Sequence, residues 1–347
     1  MNEMEKTAVE EISTGNLIFS IFYLGLALAA LAFLVFFAIK LYKTFRGGST
    51  YPIISVQNVK NVRSAPMAPV NNFAAEQVPA DLETTQKLAE NKDKIQIGIS
   101  SIIGTRKYQQ DAVVACNKAF LHKNKFTKGI VVLCDGMGGM NGGEIASALT
   151  TKTIYEDYLK SNPTDIPKFL KEEVRKTDTM VYELKDELNR PMGSGSTLLC
   201  IVVDNGKLFW VSVGDSRIYI IRNREMVQVT EDHNYYLLLK KKAESGQITF
   251  EEAANDPKAE ALISFIGIGK ESPIDNNEQP FPLQDGDIVL LCSDGLYKTL
   301  PDEEILSTIL RYSDNVESAA KMLTHVVQSK QKRGQDNTTV AVLKFLK

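Results

Sequence analysis

From residue 95 onward, apolar residues come in short runs that alternate with, or are bounded by, polar ones. IQIGISSI (95–102), AVVAC (112–116), IVVLC (130–134), TLLCIVV (197–203), LFWVSV (208–213), RIYIIR (217–222), DIVLLC (287–292) and TTVAVLKF (338–345) predict eight strands. Between Val203 and Leu208 the segment DNGK predicts a tight hairpin turn, and VGDSR is expected to join the next two strands in the same antiparallel manner. Helical periods interrupt in pairs: 143–160 and 167–188, then 302–310 and 315–329. In the last of these Val316, Ala319, Ala320, Leu323, Val326 and Val327 share one face. Antiparallel runs with segregated helix pairs point to an α+β layered domain rather than a doubly wound parallel sheet.

The N-terminal pattern is different. Leu17 to Ile39 carries no charge, and a helix of that length spans roughly 34 Å against a hydrocarbon core of about 30 Å. The first eleven residues hold Glu3, Glu5, Glu10 and Glu11 against Lys6, unlike the basic start of a cleaved signal peptide. A retained transmembrane helix is expected at 17–39, after a short segment 1–16. Lys40, Lys43 and Arg46 follow at once, which places the C-terminal part in the cytoplasm. Residues 40–93, with Gly47, Gly48, Pro52, Pro66, Pro69 and Pro79 and no sustained period, read as a flexible tether. The expected arrangement is a single-pass protein of the cell membrane with a cytoplasmic domain over 94–347.

At 347 residues, 44% of them hydrophobic, the chain can build a sizeable core. A formal net charge of −3 lacks the basic surplus of a nucleic-acid binder. Cys116, Cys134, Cys200 and Cys292 stand singly in apolar runs, with no CxxC pair. They read as buried thiols in a reducing compartment.

The run VVLCDGMGGMNGG (131–143) poses the chemical question. A phosphate loop needs GxxxxGK[ST], and no lysine follows these glycines; a dinucleotide fingerprint does not fit either. A third reading is a hard-cation site built from a carboxylate and nearby main-chain oxygens. An acid at a strand end recurs: Asp135 after IVVLC, Asp294 after DIVLLC, Asp215 after LFWVSV, Asp111 before AVVAC and Asp336 before TTVAVLKF. One such aspartate is ordinarily a turn former, but five are harder to assign to turns alone. Two cations sharing a carboxylate can activate water and offset charge on a phosphoryl group. Arg106, five residues before Asp111, offers a forked donor for phosphate oxygens. The three histidines, His122, His233 and His325, fall in no pattern for a nucleophile relay or zinc.

With these motifs in order, the chain resembles the metal-dependent PPM or PP2C-type serine/threonine protein phosphatases of the bacterial branch. The blocks are R-x₄-DA (Arg106, Asp111), DGMGG (135–139) with GGEIAS after it, GSGST (193–197), VGDSRIY (213–219), SDGL (293–296) and DNTT (336–339). The resemblance implies a central antiparallel β-sandwich flanked by helix pairs, four layers in αββα order, with a binuclear Mn²⁺ or Mg²⁺ site at one end. It implies that Asp135 bridges the two metals with the carbonyl of Gly136 as a further ligand, that Asp294 and Asp336 bind one metal, that Asp111 holds metal-bound waters, and that Arg106 binds the substrate phosphate. A metal-bridging water would attack phosphorus in line. Residues 239–262 resemble the family's flap, with a surface insertion as the alternative.

Three departures stand out. Gln109 and Gln110 precede Asp111 where relatives have Asn-Gln, and Met140 replaces a frequent histidine. Lys298 stands four after Asp294, where an acid often joins Asp215 at a third ion, so two ions are expected and the third weak or absent. His233 reads as a structural residue, with protonation of the leaving group as the alternative. The expected function is a membrane-anchored phosphatase of phosphorylated proteins, opposing a Ser/Thr kinase and acting on its substrates; the alternative is a pseudophosphatase that only binds phosphoproteins at the membrane.

Overall fold

The computed structural model describes residues 94–119, 128–138 and 142–347. The apolar stretch 17–39, the tether and Met140 lie outside the described residues. Among the described residues no helix is long and apolar enough to cross a membrane.

All eight predicted strands form. In chain order the elements are β1 (Lys94–Ile102), β2 (Asp111–Ala119), β3 (Lys128–Met137), α1 (Gly142–Ser161), α2 (Ile166–Tyr182), β4 (Gly195–Ser196), β5 (Leu198–Asp204), β6 (Lys207–Val213), β7 (Arg217–Arg222) and β8 (Glu225–Gln228). They continue with α3 (Tyr235–Glu244), α4 (Phe250–Ala254), β9 (Asp275–Asn276), β10 (Phe281–Pro282), β11 (Ile288–Cys292), α5 (Asp294–Tyr297), α6 (Asp302–Arg311), α7 (Val316–Ser329) and β12 (Thr338–Leu346). The strands absent from the sequence reading, β4, β8, β9 and β10, are two to four residues long, too short to display a period.

Two sheets stack, one in the order β1-β12-β11-β7-β8 and the other β10-β6-β5-β3-β2, with β4 on β3 and β9 on β6. Alternation sorts their side chains. Val131, Leu133, Leu199, Ile201, Ile218, Val289, Leu291, Ala341 and Leu343 meet between the sheets. The outward set Val132, Cys200 and Val202 packs under α1 and α2 through Ile154, Tyr158, Leu170 and Val174. Leu290, Cys292, Val340 and Val342 pack under α6 and α7 through Ile305, Ile309, Ala320 and Leu323. The result is the αββα layering. All four cysteines are buried and free.

The DNGK hairpin is as predicted: Asp204 pairs with Lys207, and Asn205 and Gly206 take φ of 50° and 73°, the left-handed pair that a two-residue hairpin requires. The VGDSR expectation is overturned, because β6 and β7 lie in different sheets. Both edges of β6 are taken, by β5 on one side and by β9 and β10 on the other, so the chain must cross to the second sheet. Helix α2 also ends at Tyr182, short of the predicted 188. There Asp186 accepts the backbone N–H groups of Leu188 and Arg190 at 2.9 Å each, a local alternative to helical bonding.

Candidate active site

The inward column of each strand is apolar until one end of the sandwich, where it turns polar. Along β3 the inward residues run Val131, Leu133, then Asp135; along β2 they run Ala115, Val113, then Asp111. The same step of two leads from Leu199 to Thr197, from Ile218 to Ser216, from Leu291 to Ser293, from Ala341 to Thr339 and from Ile99 to Ser101. Register places these polar ends together. Asp111 lies directly opposite Asp135 in the β2–β3 pair, so both carboxyls leave the same face. The Thr197 hydroxyl accepts the Asp135 N–H at 2.9 Å and lies 2.8 Å from the hydroxyl of Ser216, the residue before β7 of the other sheet. Ser293 donates to Asp111 Oδ2 at 2.9 Å and accepts the Thr339 N–H at 2.9 Å, while Ser101 and Thr339 hydroxyls lie 2.7 Å apart.

Like charges directly opposite on paired strands are destabilising, and here their surroundings intensify the cost. Burial raises the Asp135 carboxyl well above the ordinary value, and the negative charge of Asp111, Asp294, Asp215 and Asp336 adds to it. Burial likewise pushes Asp111 up to about 7 against its hydrogen bonds from Thr339 and Ser293, with Asp294 and Asp336 raising it further. Asp215, at the crossing between sheets, is pushed up to about 6 by burial first and by Asp294 next. All five acids predicted from the sequence therefore converge on one end of the sandwich.

The acids do not form a closed ligand cluster. Among the described residues no three histidine, cysteine or acidic side chains are gathered tightly enough to hold a metal ion as they stand. Cationic side chains lie among them: Arg106 pairs with Asp336 Oδ2 at 2.5 Å, and Lys298 reaches Asp294 Oδ2 at 2.8 Å and Asp215 Oδ2 at 3.7 Å. Two buried carboxylate oxygens, Asp111 Oδ1 and Asp294 Oδ1, have no hydrogen-bond partner. A buried acceptor left unpaired is costly, and an all-oxygen donor set with open positions suits a hard divalent cation. The residues thus fit the two ions that the sequence led us to expect.

Glycine shapes the approach to this end. A Cβ on Gly136 would stand 2.0 Å from the Gly143 carbonyl oxygen, so only glycine lets the start of α1 close over the end of β3. GSGST forms the strand entry read from the sequence: Gly193 has a φ of +58°, and β4 pairs its Ser196 with Gly136.

Both glutamines before Asp111 have structural work. Gln109 donates to the Ser101 hydroxyl at 2.7 Å and accepts the Asp111 N–H at 3.1 Å. The Gln110 carbonyl accepts the Gly136 N–H at 3.0 Å and the Ser147 hydroxyl at 2.6 Å. Sequence reasoning missed Asn337 and Gln335. Asn337 donates to the carbonyls of Ile103 and Tyr108 and accepts the Gln110 N–H, fixing the loop that carries Arg106. Gln335 donates to the Gly295 carbonyl and accepts from Thr299. The missed Ser101, Thr197, Ser216, Ser293 and Thr339 were accessible by extending each inward column two residues further. Asn337 and Gln335 left no periodic signal.

His233 is 2% exposed, and its Nδ1 accepts the Gly214 N–H at 3.2 Å. Burial lowers its pKa to about 4, so at neutral pH it is uncharged and holds the VGD crossing. The proton-donor alternative is set aside in favour of this structural role.

Comparison with known proteins agrees with this geometry. The family model for protein phosphatase 2C matches residues 101–336. The serine/threonine phosphatase stp of Listeria innocua serovar 6a is 30% identical over 228 residues, covering 64% of this chain and 86% of that protein. The Streptococcus agalactiae serine/threonine phosphatase structure superposes with a TM-score of 0.62 at 27% identity, covering 73% of this chain and all of the other. The catalytic domain of the serine/threonine protein phosphatase PstP, solved in complex with two manganese ions, gives a TM-score of 0.57 at 28% identity, over 74% of this chain and 100% of that one. With the family model spanning most of the folded domain and the motif acids gathered at one end of the sandwich, the chain belongs to the protein phosphatase 2C family of serine/threonine phosphatases.

Proposed function

We propose that the polar end of the sandwich holds two divalent ions, Mn²⁺ or Mg²⁺, and that the enzyme hydrolyses phosphoserine and phosphothreonine of proteins beside a membrane. The observation that carries the site is the opposed pair Asp111 and Asp135, kept against burial and mutual repulsion with Asp111 Oδ1 unpartnered. Asp135 and the Gly136 carbonyl, with Asp294 and Asp336, are the groups that would hold the ions, and a structurally similar relative was solved in complex with two manganese ions. Bound there, such ions lower the pKa of water and offset charge on the phosphoryl oxygens. Asp111, fixed through Oδ2 by Ser293, keeps Oδ1 for orienting the attacking water. Arg106, exposed and paired through Nη2 with Asp336 Oδ2, exchanges that carboxylate for phosphate oxygens, which its guanidinium can bind by charge-assisted hydrogen bonds. Retention of all the motif acids disfavours the pseudophosphatase reading.

The membrane setting rests on the uncharged run 17–39 and the basic residues after it. It predicts a single-pass anchor, a cytoplasmic catalytic domain and phosphoprotein substrates that include those of a Ser/Thr kinase at the same membrane. The test is a phosphothreonine-peptide assay of the full-length chain with Mn²⁺, wild type against Asp135→Asn, together with carbonate extraction of membranes. Activity in the wild type, its loss in the variant and retention in the extracted membrane pellet are expected. A wild type inactive with every divalent cation sinks the enzymatic reading, and release by carbonate sinks the anchor.

A further inference from the structure

Lys298 stands among three carboxylates drawn from three parts of the chain. Its ammonium lies 2.8 Å from Asp294 Oδ2, 3.7 Å from Asp215 Oδ2 and 3.6 Å from Glu260 Oε2. Asp294 opens α5, Asp215 marks the crossing between the two sheets, and Glu260 belongs to the segment after α4. The Lys298 backbone is fixed beneath that ammonium, because its carbonyl accepts from Lys332 Nζ at 2.6 Å and its amide N–H donates to the Asp294 carbonyl at 3.0 Å.

The segment holding Glu260 is a small body of its own. Its helices α3 and α4 pack through Leu239, Ala243, Ala253 and Ala259. Its root is closed by Tyr235 N–H donating to the Ala261 carbonyl at 2.8 Å, Tyr236 N–H to the Ala259 carbonyl at 2.9 Å, and Ile263 N–H to the His233 carbonyl at 2.9 Å. These bonds close the segment at its root, and His233 N–H ties that root to the Gly214 carbonyl at 2.9 Å. Among the described residues, the side-chain tie between residues 235–261 and the acid end is the Glu260–Lys298 pair. Asp294 and Asp215 are largely buried, with side chains 15% and 10% exposed, whereas Glu260 is 83% exposed. The lysine is therefore held by the core acids and offers its remaining charge to the flap.

We propose that Lys298 is a positioning residue with two effects: its ammonium fills the space between Asp215 and Asp294 that a further divalent cation would otherwise take, and through Glu260 it draws the flap segment 235–261 onto the acid end. This inference rests on the phosphatase reading and deepens it. A fixed cation needs no loading from solution, so flap placement is independent of divalent-ion concentration. The flap's effect falls on protein substrates, which are large enough to touch it, and not on a small aryl phosphate.

The test uses the full-length chain and four variants, Lys298→Met, Lys298→Arg, Lys298→Asp and Glu260→Gln, each checked for native circular dichroism. Hydrogen exchange over 235–261 in chelator-treated protein is expected to quicken about threefold in Lys298→Met and Glu260→Gln, in line with a mostly exposed ion pair, and to return toward wild type in Lys298→Arg. Calorimetric Mn²⁺ titration is expected to show one more bound ion in Lys298→Asp than in wild type. Glu260→Gln is expected to raise KM for a phosphothreonine peptide about threefold while leaving kcat and the p-nitrophenyl phosphate reaction unchanged. Equal flap exchange in wild type, Lys298→Met and Glu260→Gln, or the same ion count in wild type and Lys298→Asp, overturns the proposal. If wild type binds no Mn²⁺ and hydrolyses neither substrate, the phosphatase reading itself fails, an outcome separate from the exchange result.

Discussion

The middle and the polar end of the sandwich are built from the same strands and by the same two-residue alternation, yet they do opposite things. Leu133, Leu199 and Leu291 are fully buried among apolar neighbours, and each such side chain contributes on the order of 2 kcal/mol by leaving water. Two residues along, the same columns present Asp135, Thr197 and Ser293, where carboxylates face one another and oxygens stay unpaired. Stability is supplied in the middle and given up at the end. A protein keeps a locally unfavourable arrangement where function requires it.

The sharpest break of this contrast is Asp135→Asn. Loss of the central carboxylate is expected to lower phosphatase activity by about 10²–10³-fold while raising the melting temperature of the chelator-treated protein, because one of two opposed charges is gone. Calorimetric melts and peptide assays on one preparation check both signs; a lowered melting temperature would mean that Asp135 supports the fold and the contrast is wrong. Leu291→Ala is the mirror case. It is expected to cost about 2–5 kcal/mol in urea unfolding with kcat within about twofold of wild type under folding conditions. A large loss of kcat at full folding would show chemistry reaching into the apolar middle.

Smaller effects sharpen the boundary. Ser293→Ala removes the hydroxyl that holds Asp111 Oδ2 and is expected to weaken Mn²⁺ affinity about tenfold, the scale of other supporting hydrogen bonds around metal ligands, read by titration calorimetry. The least effect is that of pH on the metal-free protein. Asp111 rises from an ordinary 3.8 to about 7 in the native state, and Asp215 to about 6. The native state therefore holds protons that the unfolded chain has released. The contribution of these two groups to stability is fully present below about pH 4 and is lost as pH rises from there through 6 and 7. A fall of about 5 °C in melting temperature from pH 5 to pH 8 is expected without divalent ions, and Asp111→Asn should flatten it. A melting temperature that climbs over that range contradicts the assignment.

Much of this was legible in the chain. Runs such as IVVLC and DIVLLC have one buried solution, and the acids beside them stood out because five strand ends repeated one residue type. The illegible part was non-local. VGDSR looks like any hairpin connection, but β6 has both edges occupied, so the chain crosses to the second sheet and carries Asp215 to the acid end. Asn337 and Gln335 act through hydrogen bonds to residues 103–110 and 295–299, and no period records such partners.

The sequence by itself determined eight of the strands, the apolar face of α7, the apolar columns and the identity of the acids, because these follow from local alternation and side-chain chemistry. Only the tertiary structure decided that Asp111 faces Asp135, that Ser293 and Thr339 close over them from the other sheet, and that Lys298 sits between Asp294, Asp215 and Glu260. Register and crossover depend on which strand edges remain free once the sheets assemble, and a carboxylate's proton affinity depends on charges brought to it from distant parts of the chain.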